Sequence, residues 1–401
     1  MSLLYLALVF GVIIVLLMLK KPLYMAIGFG ILSLIVLYGF DIAKITQASL
    51  NFVTNKDSIA ILLSMYLITY LQKVLESRRA IKLAEEDLTR LFQNRRVTIA
   101  GASLVIGLLP SAAAMVLCAD IVKHQTDGYL EPEEQAFTTT WFRHIPESSL
   151  PTYPSVLLMA SLSGVAMSQF LLFMLVPLLT LFAIGYFRYL RRIPAKPEKL
   201  VKRQVGHDLL SLVKHLWSLL LIIILILVFK FEVVPAVLIS LVLSVFIYRL
   251  SRQEVLSFSK SALEPKLLVS LAFVLYFKEF LSLTGALAEL PNALSHLPLP
   301  TFMIFVILFF LGGIISGASG IIALGTPLAF AAMPSAGVAL LVLLMCSAHA
   351  ASQISPVHVC LTVASDYYHI SLGDLIKKTL PASLLFILLM IGYYLVLTVF
   401  L

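Results

Sequence analysis

Two stretches decide the fold: residues 141–164, WFRHIPESSLPTYPSVLLMASLSG, and residues 349–368, HAASQISPVHVCLTVASDYY. Each starts as a run fit for helix, meets a polar, proline-bearing segment (PESSLPTYP at 146–154, SQISP at 352–356), and resumes as an apolar run. Proline has no N–H to give and its ring collides with the preceding turn, so both helices must break. The breaks sit in a very apolar chain. Of its 401 residues 60% are hydrophobic and 12% charged, with a mean hydropathy of +1.01; soluble domains run at roughly 45–50% and 25%. That composition excludes an ordinary soluble enzyme and reads as an all-α polytopic membrane protein. Backbone left open at membrane depth is tolerated only where protein or a wet cavity satisfies it, so the breaks are where a site is expected.

Working outward, plain spans are predicted at 3–19, 22–40, 57–76, 170–189, 214–231, 233–249, 267–285 and 380–401. The first has no basic region or small-residue cleavage site before it and reads as a retained span, not a signal peptide. Residues 97–125 are interrupted by Gly107, Pro110 and a Ser-Ala-Ala-Ala tract, and 302–333 by Gly312, Gly313, Ser316, Gly317, Ser319 and Gly320. An arm of about fourteen residues reaches only ~21 Å, short of the ~30 Å hydrocarbon core, so both read as re-entrant hairpins. With the broken helices at 132–169 and 336–368, the expectation is ten transmembrane helices plus two hairpins.

The net charge of +8 invites a nucleic-acid reading, but the basic residues lie in the gaps between spans. With two hairpins and ten spans they gather on one side, leaving Lys44, Lys56 and Lys230 on the other and Lys278 within a span. The positive-inside rule then predicts an inner (plasma) membrane protein with both termini outside. Residues 77–96 read as an amphipathic helix on the inner surface. Cys118, Cys346 and Cys360 lie in apolar runs without paired spacing, which indicates neither a disulfide framework nor a zinc site. No metal or cofactor is expected.

Sliding the chain on itself by 205 residues lays Gly107 on Gly312, Ser111 on Ser316, Ala113 on Ala318, His144 on His349, Pro151 on Pro356 and Tyr153 on His358. Each repeat, 1–200 and 205–401, would hold three spans, a hairpin, a broken helix and a last span. Five crossings is an odd number, so the repeats would be inverted, the architecture of secondary transporters. His144 and His349 would approach the midplane from opposite sides.

GLLPSAAAM at 107–115, the 141–164 stretch and SPVHVCLTVASDYY at 355–368 together resemble the integral membrane family catalogued as domain-of-unknown-function family 401. The resemblance covers nearly the whole chain, and WFRH-x-P-E is its most specific part. That family belongs to the ion transporter superfamily with gluconate permeases and divalent-anion symporters. The resemblance implies a scaffold and a moving transport domain, a homodimer and an elevator motion. Divalent-anion symporters hold sodium and a carboxylate with Ser-Asn-Thr tips; the tips here read Ser111-Ala-Ala and Ser316-Gly-Ala, so sodium is less supported than a proton as coupling ion.

Half-helices that begin at a hairpin tip or helix break offer N–H groups and a positive dipole end to an oxyanion. Pro110, Ser111, Ser316, Gly317 and Ser319 at the tips, and Ser148, Ser352 and Ser355 at the breaks, are the expected substrate contacts. Small residues also serve close helix packing. Arg143 would be costly at depth unless paired or facing water, and reads as the counter-charge for an anion or as a pair with Glu147. His144, His349, His358 and Glu147 are candidates to carry a coupling proton. The expected partners are a small anionic substrate and the lipid bilayer. Two other classes fit less well. A passive anion channel would use the breaks as a filter, and an intramembrane serine protease would pair Ser319 with His349, with Ser103 and His144 as an implausible second copy.

Overall fold

A computed structural model describes residues 2–108, 113–196 and 205–400, and its regular structure is helical. The chain begins with α1 (Ser2–Met18), α2 (Leu23–Leu37), α3 (Ile42–Thr54), α4 (Lys56–Ser77) and α5 (Ala80–Phe92). Local chemistry fixes the joints. Asp41 caps α3 by accepting from Lys44 N at 2.8 Å, and Asn55 caps α4 by accepting from Asp57 N and Ser58 N. There follow α6 (Arg95–Ile106), α7 (Ala113–Thr126), α8 (Pro132–His144), a 3-10 turn at Pro146–Ser148, α9 (Pro154–Ser163), α10 (Met167–Phe173) and α11 (Leu175–Arg188). The rest is α12 (Val205–Leu227), α13 (Val233–Ile247), α14 (Arg252–Ser261), α15 (Pro265–Leu283), α16 (Ala286–Ser295), α17 (Thr301–Ala332), α18 (Gly337–Ser352), α19 (Val359–Tyr368) and α20 (Leu372–Phe400).

By contact the helices sort into two bundles. α1–α5 pack with α12–α16, and α6–α11 pack with α17–α20. Polar ties run within each. In the first, Tyr276 meets Ser49, Tyr70 donates to Val255 O, Asn55 donates to Glu279, and His215 meets Asp87. In the second, Trp141 Nε1 donates to Leu181 O, Tyr368 to Ala119 O and Arg192 to Glu134. The bundles meet where α5 packs on α6, α4 on α9, α10 on α12, and α1 and α16 on α17; the last of these faces holds a cavity of about 400 Å³ lined by Leu6, Phe10, Leu294, Leu308, Ile321 and other apolar residues.

Two folded-back segments lie in the second bundle. α17 is long enough to cross a membrane, yet the chain reverses at Gly317, whose φ of 73° and ψ of 166° belong to glycine's region. The reversal lays one arm on the other: a methyl group on Gly312 would fall 2.5 Å from Ile321 Cδ1, and one on Gly325 would fall 2.5 Å from Phe309 Cε2. In a straight helix Phe309 and Gly325 would be about 24 Å apart. α6 and α7 pair in the same sense, with Cys118 Sγ donating to Ser103 Oγ at 3.2 Å. Residues 109–112, and with them Pro110 and Ser111, lie outside the described residues.

α8 and α18 form the centre. From Glu134 to His144 and from Ala339 to Ser352 every residue is buried. Thr138, Thr139 and Thr140 live there by returning their hydroxyl protons to carbonyls four residues back. The outer helices instead expose large apolar side chains, Val36, Phe246, Val399 and Phe400 among them at more than 70%, as lipid contact requires. By length and composition five helices are fit to cross a membrane: α4, the run Met167–Arg188 formed by α10 and α11, α12, α17 and α20. A sixth is the pair α15 and α16, bent by 77°, if it counts as one span. The chain is a multi-pass membrane protein. α1, α2, α9, α13 and α18 are apolar but shorter.

Helices α3, α14 and α16 have no counterpart among the predicted spans. All three fall between the predicted spans and, at 10 to 13 residues, are too short to cross alone. The amphipathic segment predicted at 77–96 is α5, whose buried face includes an acid, Asp87. The span predicted at 380–401 starts earlier, at Leu372, because Pro381 is accommodated inside α20.

Candidate functional site

α8 ends at His144 and α18 at Ser352, and the two breaks meet. His144 Nδ1 donates to Gln353 Oε1 at 3.3 Å, and Gln353 Nε2 donates to His349 Nε2 at 3.1 Å. One amide thus joins the paired histidines of the two chain halves. A third ring closes on them: His358, at the head of α19, meets His144 edge to face with centroids 4.6 Å apart. Each of His144, His358 and Cys360 can offer a ligand atom, and those atoms lie within 4.8 Å of one another.

Glu147 does not continue α8. It lies on the 3-10 turn, and its Oε2 is 3.8 Å from His144 Nε2. Arg143 is 1% exposed and is held in the interior by interactions of its own. Its carbonyl abuts Gly107, where a methyl group would come within 2.2 Å of the oxygen. Tyr153 Oη donates to Gly107 O at 2.6 Å, so the end of α6 is clamped between α8 and the head of α9.

The serines behave differently from bare donors. Ser148 gives its proton to Ile145 O, Ser316 to Gly312 O, Ser352 to His349 O, and Ser355 to Ile314 O at 2.7 Å. In this conformation these hydroxyls close the backbone at the breaks and the hairpin, and Ser355 ties the α18 break to the first arm of α17. Ser319 and Gly317 are half-buried on α17. Ser103 donates to Ile99 O while His144 Nδ1 pairs with Gln353, so neither supports a serine–histidine dyad in the first half.

Sequence reading missed Gln353 and Cys360. A glutamine four residues after His349 on a helix end is a legible signal, since that spacing puts both on one face. Cys360 had none, because its partner His144 lies 216 residues away in the chain.

The fold and site define a polytopic helical membrane protein organised around two interrupted helices that meet at its centre. The same fold occurs in the YdaH transporter of Alcanivorax borkumensis, with a TM-score of 0.61 and 17% sequence identity over 88% of this chain and 87% of that one. No curated protein matches the sequence. The profile of the family described as "Protein of unknown function (DUF401)" matches residues 2–398, and the chain belongs to that family.

Proposed function

We propose that the chain is a secondary active transporter of a small organic anion, a carboxylate by class, coupled to protons or another cation. The observation that carries this is the meeting of His144 and Glu147 from one interrupted helix with His349, Gln353 and His358 from the other, with the buried Arg143 next to His144 in the chain. Arg143 supplies the fixed positive charge, and the heads of α9 and α19 add dipole and N–H groups. The order α6/α7, α8, α9, α10/α11 recurs as α17, α18, α19, α20, and α9 and α19 start 205 residues apart, which supports inverted repeats. The two bundles, tied inside and apolar where α1 and α16 meet α17, support an elevator motion of one against the other. On this reading the protein is a homodimer in the plasma membrane with both termini outside. No reaction is needed, so the chain is not an enzyme.

Proteoliposomes under an imposed pH gradient, offered radiolabelled mono- and dicarboxylates and sugar acids, test the reading. Uptake should be saturable, accelerated by the gradient and lost in Arg143→Ala. Saturable uptake indifferent to every ion gradient would remove the coupling. Ohmic anion current would replace the transporter with a channel. Labelling of Ser319 by a fluorophosphonate would point to a protease.

A further inference from the structure

His144 Nε2 poses a problem that its neighbours define. Nδ1 carries the proton donated to Gln353, so Nε2 presents a lone pair. It is buried and makes no hydrogen bond among the described residues, and a carboxylate oxygen of Glu147 stands 3.8 Å away. A lone pair and a carboxylate facing each other repel, and a positive centre between them removes the conflict. His358 and Cys360, from the other half of the chain, each bring a ligand atom within 4.8 Å of a ring nitrogen of His144.

We propose that His144, His358 and Cys360 bind a borderline-soft divalent metal ion of the zinc class, with Glu147, which stands beside His144 outside the convergent trio, moving in as fourth ligand. Two imidazoles, a thiolate and a carboxylate are the donors such an ion selects, whereas magnesium and calcium require all-oxygen sites. Tetrahedral zinc, with bonds of about 2.0–2.3 Å, sets its ligand atoms roughly 3.3–3.6 Å apart. The His144–Glu147 separation of 3.8 Å nearly meets this, and the trio, whose atoms lie within 4.8 Å of one another, contracts by at most about 1.5 Å to reach it. Gln353 is the outer partner that fixes the His144 tautomer and ring. Cys360 and His358 are partly exposed while His144 is buried, so the ion has a way in from the α19 side. Cys360 gives up its proton to solvent on binding. The thiolate and the Glu147 carboxylate then balance the ion's two charges, and Arg143 keeps its net attraction for an anion. The ion would join the two interrupted helices at their meeting point.

The inference does not depend on transport, and its test uses none. Full-length protein in detergent, stripped with a chelator and dialysed, is titrated with Co²⁺ and the thiolate-to-metal charge-transfer absorption is followed. One Co²⁺ per chain should give the band, Zn²⁺ should bleach it, and Mg²⁺ should leave it unchanged. Cys360→Ser, nearly isosteric, should abolish the band while its metal-free melting curve matches wild type. His358→Ala should weaken binding at least tenfold, and Gln353→Ala about 10–100-fold. Absence of the band in wild type would overturn the proposal, as would its survival in Cys360→Ser, which would assign it to Cys118 or Cys346. Metal binding without anion uptake would leave this inference standing and remove the transport reading; the reverse result would do the opposite.

Discussion

His144 and His358, 214 residues apart in the chain, lie edge to face with ring centroids 4.6 Å apart at the point where the two interrupted helices meet. The contact requires that both helices stop where they do. Had α8 or α18 continued by one turn, the next helix head would have been displaced by about 5 Å and the rings would not touch. The breaks therefore serve to bring polar groups from both halves of the chain to one place.

Gly317 controls the reversal of α17. Its φ of 73° with ψ of 166° is open to glycine and closed to other residues at a cost of about 1–3 kcal/mol. Gly317→Ala should lower the melting temperature in detergent and raise protease sensitivity within 312–321. Gly206→Ala, where a methyl group meets open space, is the control. An unchanged melt would show that the reversal tolerates a side chain.

The close approach of Gly107 to Arg143 O leaves no room for a β-carbon at 2.2 Å. Because the obstacle is backbone and not a movable side chain, Gly107→Ala should cost about 1–3 kcal/mol or more, as overpacking does. Tyr153→Phe removes the hydroxyl that holds the same turn and should cost about 1 kcal/mol. Both are read from thermal melts, and their sum should fail in the double variant because the two residues touch.

Asp87 is wholly buried between α5 and α12, where His215 Nδ1 lies 2.6 Å from its Oδ2 and Arg90 pairs with its Oδ1. Its partners retain some access to water, so they can be solvated when the acid is lost. Asp87→Ala should therefore cost about 1–3 kcal/mol, below the loss expected for a stranded buried charge. In a double-mutant cycle Asp87 and His215 should couple by about 0.5–3 kcal/mol. Zero coupling would mean that the short contact contributes nothing to stability.

Glu254, on the surface helix α14, is held below the usual carboxylate range, first by the Ser251 backbone N–H and then by the Ser251 hydroxyl, with Arg78 adding to them. A carboxyl whose folded pKa is depressed stabilises the fold at pH above its unfolded value. That contribution is lost as the pH falls through the lowered folded value. Glu254→Gln should thus melt earlier than wild type at neutral pH, and the two curves should merge once the pH is well below about 4. A gap that persists in acid would assign the effect to packing instead.

Much of the architecture is legible in the residues. Glycines at 312, 313, 317 and 320 predict the folded-back segment that the structure turns at Gly317, prolines 146 and 356 follow the ends of α8 and α18, and Pro154 opens α9. Helices α3, α14 and α16 are not, because a helix of 10 to 13 residues between spans carries too few turns to stand out from a loop. The serines at the breaks were legible as hydroxyls near a site, but not as donors already committed to Ile145 O, His349 O and Ile314 O.

The sequence by itself determined that the chain enters a membrane, where it breaks and where it turns, because hydropathy, proline and glycine act on their own neighbourhoods. Tertiary structure alone decided the company each polar group keeps. Glu147 lies beside His144 because a 3-10 turn redirects the chain, and Gln353 bridges two histidines because the ends of both helices meet. Cys360 joins a cluster whose other half lies more than two hundred residues away. Such contacts depend on the packing of helices against one another, which no local pattern encodes.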